Sequence, residues 1–211
     1  MTYKLFGSPG TASMCIHWML IELGATFEYE LVDFKTKQQH EAAYRKINPT
    51  GHVPALMIDG TVYAETAALL MLLAEHHPQK AFAPAIGAPD RAAYLQEMIY
   101  LANTLMPAFR LWFYADEGAG SENVEATKVQ ARVRIERAWD RIDKHLSDGR
   151  SYAVGTHMTA ADFLTTMLMR WSRAMPKTAA EWPHIAKYIT RMRVLPSYRE
   201  THNREGLEGW I

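Results

Sequence analysis

All strand-like segments of this 211-residue chain lie before Pro78, and the segments beyond Pro89 have helical periodicity. Short apolar or alternating runs between turn residues indicate strands, whereas apolar residues spaced three and four apart indicate a helix with one buried face. The intervening stretch 79–89 is rich in Pro, Ala and Gly and is typical of a surface linker. We therefore predict an α/β domain over 1–78 and an all-helical domain over 90–211.

The first domain is predicted to have the element order β-α-β-α-β-β-α. Gly7-Ser8-Pro9-Gly10 stops the first strand, and Asp59-Gly60 favours the type I′ turn of a hairpin. Asn48-Pro49 ends the second helix, because a residue before proline disfavours helical backbone angles. The predicted strands are 3–6, 27–32, 53–58 and 61–63, and the predicted helices are 11–23, 38–46 and one that begins near Glu65.

Two apolar stripes mark the helical domain. Their members recur every three or four residues, and helices bury such faces against each other. Pro107 interrupts the first stripe and is expected to kink its helix. The stripes are Leu95, Met98, Ala102, Leu105, Phe109 and Trp112, and then Ile135, Trp139, Ile142 and Leu146.

Charge and cysteine content argue against several classes of function. The chain has 23 basic and 23 acidic residues, so no overall field favours nucleic acid or an anionic membrane as partner. The longest apolar stretch, 67–74, is too short to span a bilayer. The single Cys15 excludes an internal disulfide and fits a reducing compartment, so we expect a cytoplasmic protein. The histidines lack metal-ligand spacing, and no metal site is expected.

Three segments carry a resemblance to a known family. They are Asn48-Pro49-Thr50-Gly51-His52-Val53-Pro54-Ala55-Leu56, Ala64-Glu65-Thr66-Ala67-Ala68-Leu69 and Gly155-Thr156-His157-Met158-Thr159-Ala160-Ala161-Asp162. Together they resemble the cytosolic glutathione transferases, and 7–24 looks most like the bacterial beta class and its relatives. The resemblance implies an N-terminal thioredoxin-like domain, a C-terminal helical bundle, and glutathione as co-substrate.

The resemblance also implies which residues bind glutathione. Pro54 would be cis, and the backbone of Val53 would bind the cysteinyl part of the tripeptide. Thr66 and the free N–H groups of its helix would bind the γ-glutamyl carboxylate, while Glu65 would attract the ammonium group. His52 and Lys35 would lie near the glycyl carboxylate. By themselves, Pro54 could simply open a strand, and Glu65 and Thr66 could simply cap a helix.

The reaction needs a group that stabilises a thiolate, because a thiol with a pKa of about 8.5 is mostly protonated at neutral pH. Compared with the family, Ala12 stands where the beta class has its cysteine, and Phe6 stands where other classes have a tyrosine. The candidate donors are therefore the hydroxyls of Thr11, Ser13 and Ser8 at the start of the first helix. Each of them could instead only cap that helix.

The combined interpretation is a glutathione S-transferase that acts in detoxification by conjugating glutathione to a small apolar electrophile. Two alternatives stay open: a glutathione-dependent peroxidase or disulfide reductase, and a non-catalytic glutathione-binding or interaction protein. The resemblance further implies a homodimer. Candidate wall residues for the electrophile are Met106, Phe109, Arg110, Trp112, Phe113 and Trp210.

Overall fold

The computed structural model of the protein describes residues 1–119 and 121–209. The chain divides into two compact units. One is Met1–Ala83 joined by the chain from Arg193 onward, and the other is Pro84–Met192. The predicted order of an α/β part followed by a helical part is confirmed, but the last segment of the chain packs with the α/β unit.

A four-stranded sheet forms the centre of the first unit. Its strands are β1 (Tyr3–Gly7), β2 (Phe27–Leu31), β3 (Ala55–Ile58) and β4 (Thr61–Tyr63), in the order β2-β1-β3-β4. β1 and β2 are parallel, whereas β3 is antiparallel to both β1 and β4. Asp59 and Gly60 have φ angles of 46° and 86°, the left-handed conformations that a type I′ turn requires. The predicted hairpin is therefore confirmed.

The helices follow the predicted pattern with one exception. The segment 38–46 forms only a 3₁₀ turn, Gln38–His40, and a four-residue helix, because Lys37 is left-handed (φ 59°) and Glu41 is extended (φ −70°, ψ 149°). The helices are α1 (Ser13–Leu23), α2 (Ala42–Arg45), α3 (Thr66–His76), α4 (Arg91–Tyr100), α5 (Met106–Phe113), α6 (Ala115–Ala119), α7 (Val124–Leu146), α8 (Ala160–Trp171), α9 (Pro183–Arg193) and α10 (Pro196–Arg204).

Helix α1 is almost entirely buried in the first unit, and the end of the chain packs against it. Trp18 is fully buried, and its indole N–H donates to Ser197 Oγ at 2.8 Å. Its ring meets Tyr198 edge-on at a centroid distance of 5.0 Å. Residues of α10 thus pack against α1.

The second unit is a helical bundle whose core contains all of the second predicted stripe and, from the first, Met98, Leu105 and Phe109. Phe109 and Trp139 are fully buried and 6.1 Å apart between ring centroids. One π-helical turn, Leu101–Leu105, separates α4 from α5 just before Pro107, where the kink was predicted. Among the described helices, none combines the length and apolar composition needed to cross a bilayer.

Candidate functional site

The sheet brings the predicted site loops to one edge. The carboxyl end of β1 lies beside that of β2, since Gly7 pairs with Leu31, and beside the start of β3, since Phe6 pairs with Ala55. β4 runs antiparallel to β3, so its carboxyl end at Tyr63 reaches the same edge. The loop after β1, the loop before β3 and the start of α3 therefore share this edge.

Three hydroxyl residues close the turn between β1 and α1. Ser13 Oγ accepts the Ser8 N–H at 3.0 Å and lies 3.0 Å from the Ser8 carbonyl oxygen, to which it donates. Thr11 Oγ1 donates to the same carbonyl at 2.7 Å and lies 2.9 Å from Ser13 Oγ. The hydroxyls of Thr11 and Ser13 are thus in one hydrogen-bonded cluster around the backbone of Ser8.

The three donors differ in their access to a ligand. Ser13 is fully buried and Ser8 is 7% exposed, whereas Thr11 is only half-buried. The Ser8 carbonyl keeps its bond from Ser13 if the Thr11 hydroxyl turns to another acceptor. Thr11 is therefore the hydroxyl of this cluster that can be redirected at the smallest cost.

Gly7 leaves a space that neighbouring side chains fill. A Cβ atom at Gly7 would lie 2.7 Å from Ser13 Oγ and 3.1 Å from the Tyr29 hydroxyl oxygen. Burial raises the pKa of Tyr29. Phe6, which the family comparison placed at a tyrosine position, is a core residue that meets Tyr44 edge-on at 6.4 Å.

A buried acid holds the same turn from the far end of the chain. Glu205 accepts the Gly10 N–H at 2.8 Å with one oxygen and lies 2.8 Å from His17 Nδ1 with the other. The side chains of Glu205 and His17 are 1% and 3% exposed. A carboxylate in such surroundings needs these partners, because an unpaired buried charge is strongly unfavourable.

The loop before β3 is fixed by side-chain hydrogen bonds to its backbone. The Val53–Pro54 bond is cis, as the resemblance implied. The Tyr44 hydroxyl and Asn48 Nδ2 each donate to the His52 carbonyl oxygen at 2.7 Å. Val53 is 9% exposed, while the His52 side chain is exposed.

Helix α3 begins at the same edge with an unusual backbone. Glu65, its N-cap residue, has φ 71° and ψ 104°, a conformation that costs about 1–3 kcal/mol in a residue other than glycine and is most frequent at functional sites. Its exposed side chain makes no capping hydrogen bond. The first N–H groups of α3 carry partial positive charge and can bind an anion beside the buried Thr66.

The remaining candidates are less specific. Lys35 is exposed, and its backbone N–H donates to Asp33 Oδ1 at 2.8 Å. Cys15 is fully buried, which raises the pKa of its thiol and makes it unreactive. Within 1–119 and 121–209, no three His, Cys, Asp or Glu residues are placed to hold a metal ion.

The candidate wall residues differ in burial: Phe109 is a core residue, Met106 and Trp112 are half-buried, and Arg110 and Phe113 are exposed. Phe109 is fully buried against Trp139 and Trp171, while Phe113 is 42% exposed. Trp210 lies outside the described residues.

Several residues of this edge were missed by sequence reasoning. Tyr44, Tyr29, His17 and Glu205 belong to no motif, and Glu205 meets His17 across 188 residues. One available signal was Gly7 directly after a strand, since an interior-facing glycine often marks a close approach by other groups.

Comparisons with known proteins agree with the division into an α/β part and a helical part. Residues 5–81 match the family model described as "Glutathione S-transferase, N-terminal domain", and residues 74–196 match "Glutathione S-transferase, C-terminal domain". A glutathione S-transferase, GstA, from Escherichia coli O157:H7 is 28% identical over 97% of this chain and 100% of its own length.

Solved structures are similar over the same extent. A bacterial beta class glutathione S-transferase from Sphingomonas chungbukensis is 27% identical with a TM-score of 0.84. A sphingomonad glutathione S-transferase complexed with glutathione is 30% identical, also with a TM-score of 0.84. Each similarity covers 97% of this chain and 100% of the other.

Proposed function

Because this chain belongs to the glutathione S-transferase family, we propose that the sheet edge formed by 8–13, 52–54 and 65–66 is its glutathione site. The enzyme uses glutathione as co-substrate and conjugates it to an electrophile. The names of its relatives favour this activity over peroxide or disulfide reduction and over a non-catalytic role. The observation that carries the site is the meeting of a hydroxyl cluster, a cis-proline loop and an open helix start at one edge.

The proposed binding mode uses opposite charges and backbone groups. The γ-glutamyl carboxylate binds the first N–H groups of α3 and the hydroxyl of Thr66, because a helix start favours an anion. Glu65 has an exposed carboxylate beside the start of α3 and attracts the ammonium group of the γ-glutamyl residue of glutathione. Val53 pairs through its backbone with the cysteinyl part, and His52 and Lys35 face the glycyl carboxylate.

Thr11 is the proposed donor to the thiolate. A hydrogen bond to a charged group contributes about 1.5–3 kcal/mol, which corresponds to a pKa lower by about 1–2 units. Thr11 is half-buried and can exchange its bond to the Ser8 carbonyl, which Ser13 retains. Ser13, fully buried, and Ser8 then keep the turn in shape.

The finer proposals concern the second substrate and the assembly. We propose a small apolar electrophile, a role in detoxification, a homodimer and a cytoplasmic location. Exposed aromatic side chains of the helical unit, such as Phe113 at 42% exposure, support contact with an apolar molecule. The family resemblance supports the dimer.

Thiolate absorbance of bound glutathione, followed against pH, tests the donor. In Thr11→Val we expect the pKa of the bound thiol to rise by about 1–2 units. Ser8→Ala keeps the backbone carbonyl that Thr11 and Ser13 share and serves as the control, so it should leave that pKa unchanged. An unchanged pKa in Thr11→Val would refute the assignment, and a rise only in Ser13→Ala would move it to Ser13.

A further inference from the structure

The peptide group between His52 and Val53 is held by two side chains. The hydroxyl of Tyr44 and the amide of Asn48 both donate to the His52 carbonyl oxygen, each at 2.7 Å. Tyr44 and Asn48 are each only 4% exposed. One carbonyl oxygen thus accepts two short hydrogen bonds away from solvent, which fills both of its lone-pair positions.

Both donors are held in place by further contacts. Asn48 Oδ1 accepts the N–H of Thr50 at 3.2 Å and its hydroxyl at 2.9 Å, so the amide nitrogen must face His52. Tyr44 packs in an apolar cluster with Phe6 and Val53. Burial raises the pKa of Tyr44 to about 12, so the hydroxyl keeps the proton that it donates at physiological pH.

These bonds act on the opposite end of the same peptide group. In a trans peptide the C=O and N–H point in opposite directions, so fixing the His52 carbonyl also fixes the direction of the Val53 N–H. Hydrogen bonds in a chain also polarise one another, strengthening each by roughly 10–30%. A carbonyl that accepts two bonds therefore makes the attached N–H a better donor.

We propose that Tyr44 and Asn48 are positioning residues that orient and polarise the His52–Val53 peptide group, so that the Val53 N–H donates strongly to the cysteinyl carbonyl of glutathione. This inference rests on the proposed glutathione site. It adds two residues that touch no ligand but set the strength of a backbone contact, and it assigns the hydroxyl of Tyr44 a role that phenylalanine could not fill.

Tyr44→Phe tests the inference, because it removes one of the two donors and keeps the packing ring. Calorimetric titration with reduced glutathione should show weaker affinity, at most by the roughly 2- to 12-fold that complete loss of the bond from the Val53 N–H to the ligand would cause. ¹⁵N-valine labelling gives eight amide signals, and the one that Val53→Ile removes is Val53. In Tyr44→Phe without ligand, its proton signal should move upfield.

Tyr198→Phe is the matched control. Tyr198 is a fully buried tyrosine of the same unit whose hydroxyl lies 3.0 Å from His202 Nε2. Its loss should lower thermal stability about as much as that of the Tyr44 hydroxyl, with no change in affinity or in the Val53 signal. Asn48→Asp removes the second donor but keeps the acceptor for Thr50, and should weaken affinity at least as much as Tyr44→Phe.

The outcomes separate this inference from the proposed function. Wild-type affinity in Tyr44→Phe, or a weaker affinity with an unmoved Val53 signal, would overturn the positioning role. If the wild-type protein does not bind glutathione at all, the proposed function fails, and the ligand-free Val53 signal still decides whether Tyr44 polarises the peptide group.

Discussion

Asp162, at the start of α8, provides the most quantitative test of how a buried charge is held in this fold. Its Oδ1 accepts the Ala153 N–H and the Tyr188 hydroxyl, each at 2.7 Å. Its Oδ2 accepts the N–H of Thr159 at 2.7 Å and the hydroxyl at 3.1 Å. Each oxygen thus faces one backbone N–H, which cannot reverse, and one hydroxyl, which can.

Asp162→Asn cannot satisfy this arrangement. Whichever way the amide turns, its NH₂ group faces a backbone N–H that then has no acceptor. A buried donor left without a partner costs about 1–3 kcal/mol, and we expect that loss in the free energy of unfolding at pH 7. Urea denaturation at fixed temperature measures it.

The pH dependence of this loss shows whether burial or hydrogen bonding has the larger effect on the pKa of Asp162. Burial raises the pKa of Asp162 from 3.8 to about 6, against four hydrogen bonds that favour the carboxylate. Folding therefore favours the protonated form of Asp162. Its contribution to the free energy of unfolding is highest at low pH and is lost as the pH rises through 6. The shift corresponds to roughly 3 kcal/mol in all, of which about 1 kcal/mol falls between pH 5 and pH 7.

The deficit of Asp162→Asn should thus be about 1 kcal/mol larger at pH 5 than at pH 7. Glu181→Gln is the matched control, since Glu181 accepts the Thr178 N–H at 2.7 Å in an exposed capping box. There water replaces a lost partner, and we expect a change below about 1 kcal/mol at both pH values. If the loss of stability in Asp162→Asn grows with pH, hydrogen bonding to Asp162 outweighs its burial. If Asp162→Asn is as stable as the wild type, no buried N–H is left unpaired and the reasoning is refuted.

Two further substitutions test the turn at the sheet edge. Gly7→Ala places a Cβ 2.7 Å from Ser13 Oγ and should destabilise the protein by about 1–3 kcal/mol in urea denaturation; an unchanged midpoint would show that the space is not filled as described. Glu205→Gln weakens the bonds to Gly10 and His17 and should cost about 1–3 kcal/mol, whereas Glu200→Gln, in an exposed pair, should cost less than about 1 kcal/mol. Equal losses in the two glutamine variants would contradict a special role for the buried acid.

Turn chemistry explains why the sheet was predictable from sequence. Asp59-Gly60 and Gly7-Ser8-Pro9-Gly10 specify local backbone conformations, and the four strands lie within about two residues of their predicted bounds. The single helix predicted over 38–46 is wrong, because Lys37 and Glu41 adopt non-helical backbone angles. Lys and Glu both favour helices, so their residue types do not predict these angles.

Long-range packing explains what the sequence did not predict. The buried face of α10 is formed by Ser197, Tyr198, Thr201 and His202 and shows no apolar stripe in the sequence, so its place on α1 was not foreseen. Likewise, the motif 48–54 predicts a binding loop, whereas the Tyr44 hydroxyl that fixes it lies in a four-residue helix outside the motif.

Calorimetric titration of the protein with reduced glutathione tests the central claim most directly. We predict saturable binding at one site per chain, weaker by about 10- to 150-fold in Thr66→Val, because a hydrogen bond to the γ-glutamyl carboxylate is lost. Thr61→Val, an exposed change on β4 in the same unit, should bind like wild type. Absence of binding by the wild-type protein at millimolar glutathione would contradict the account.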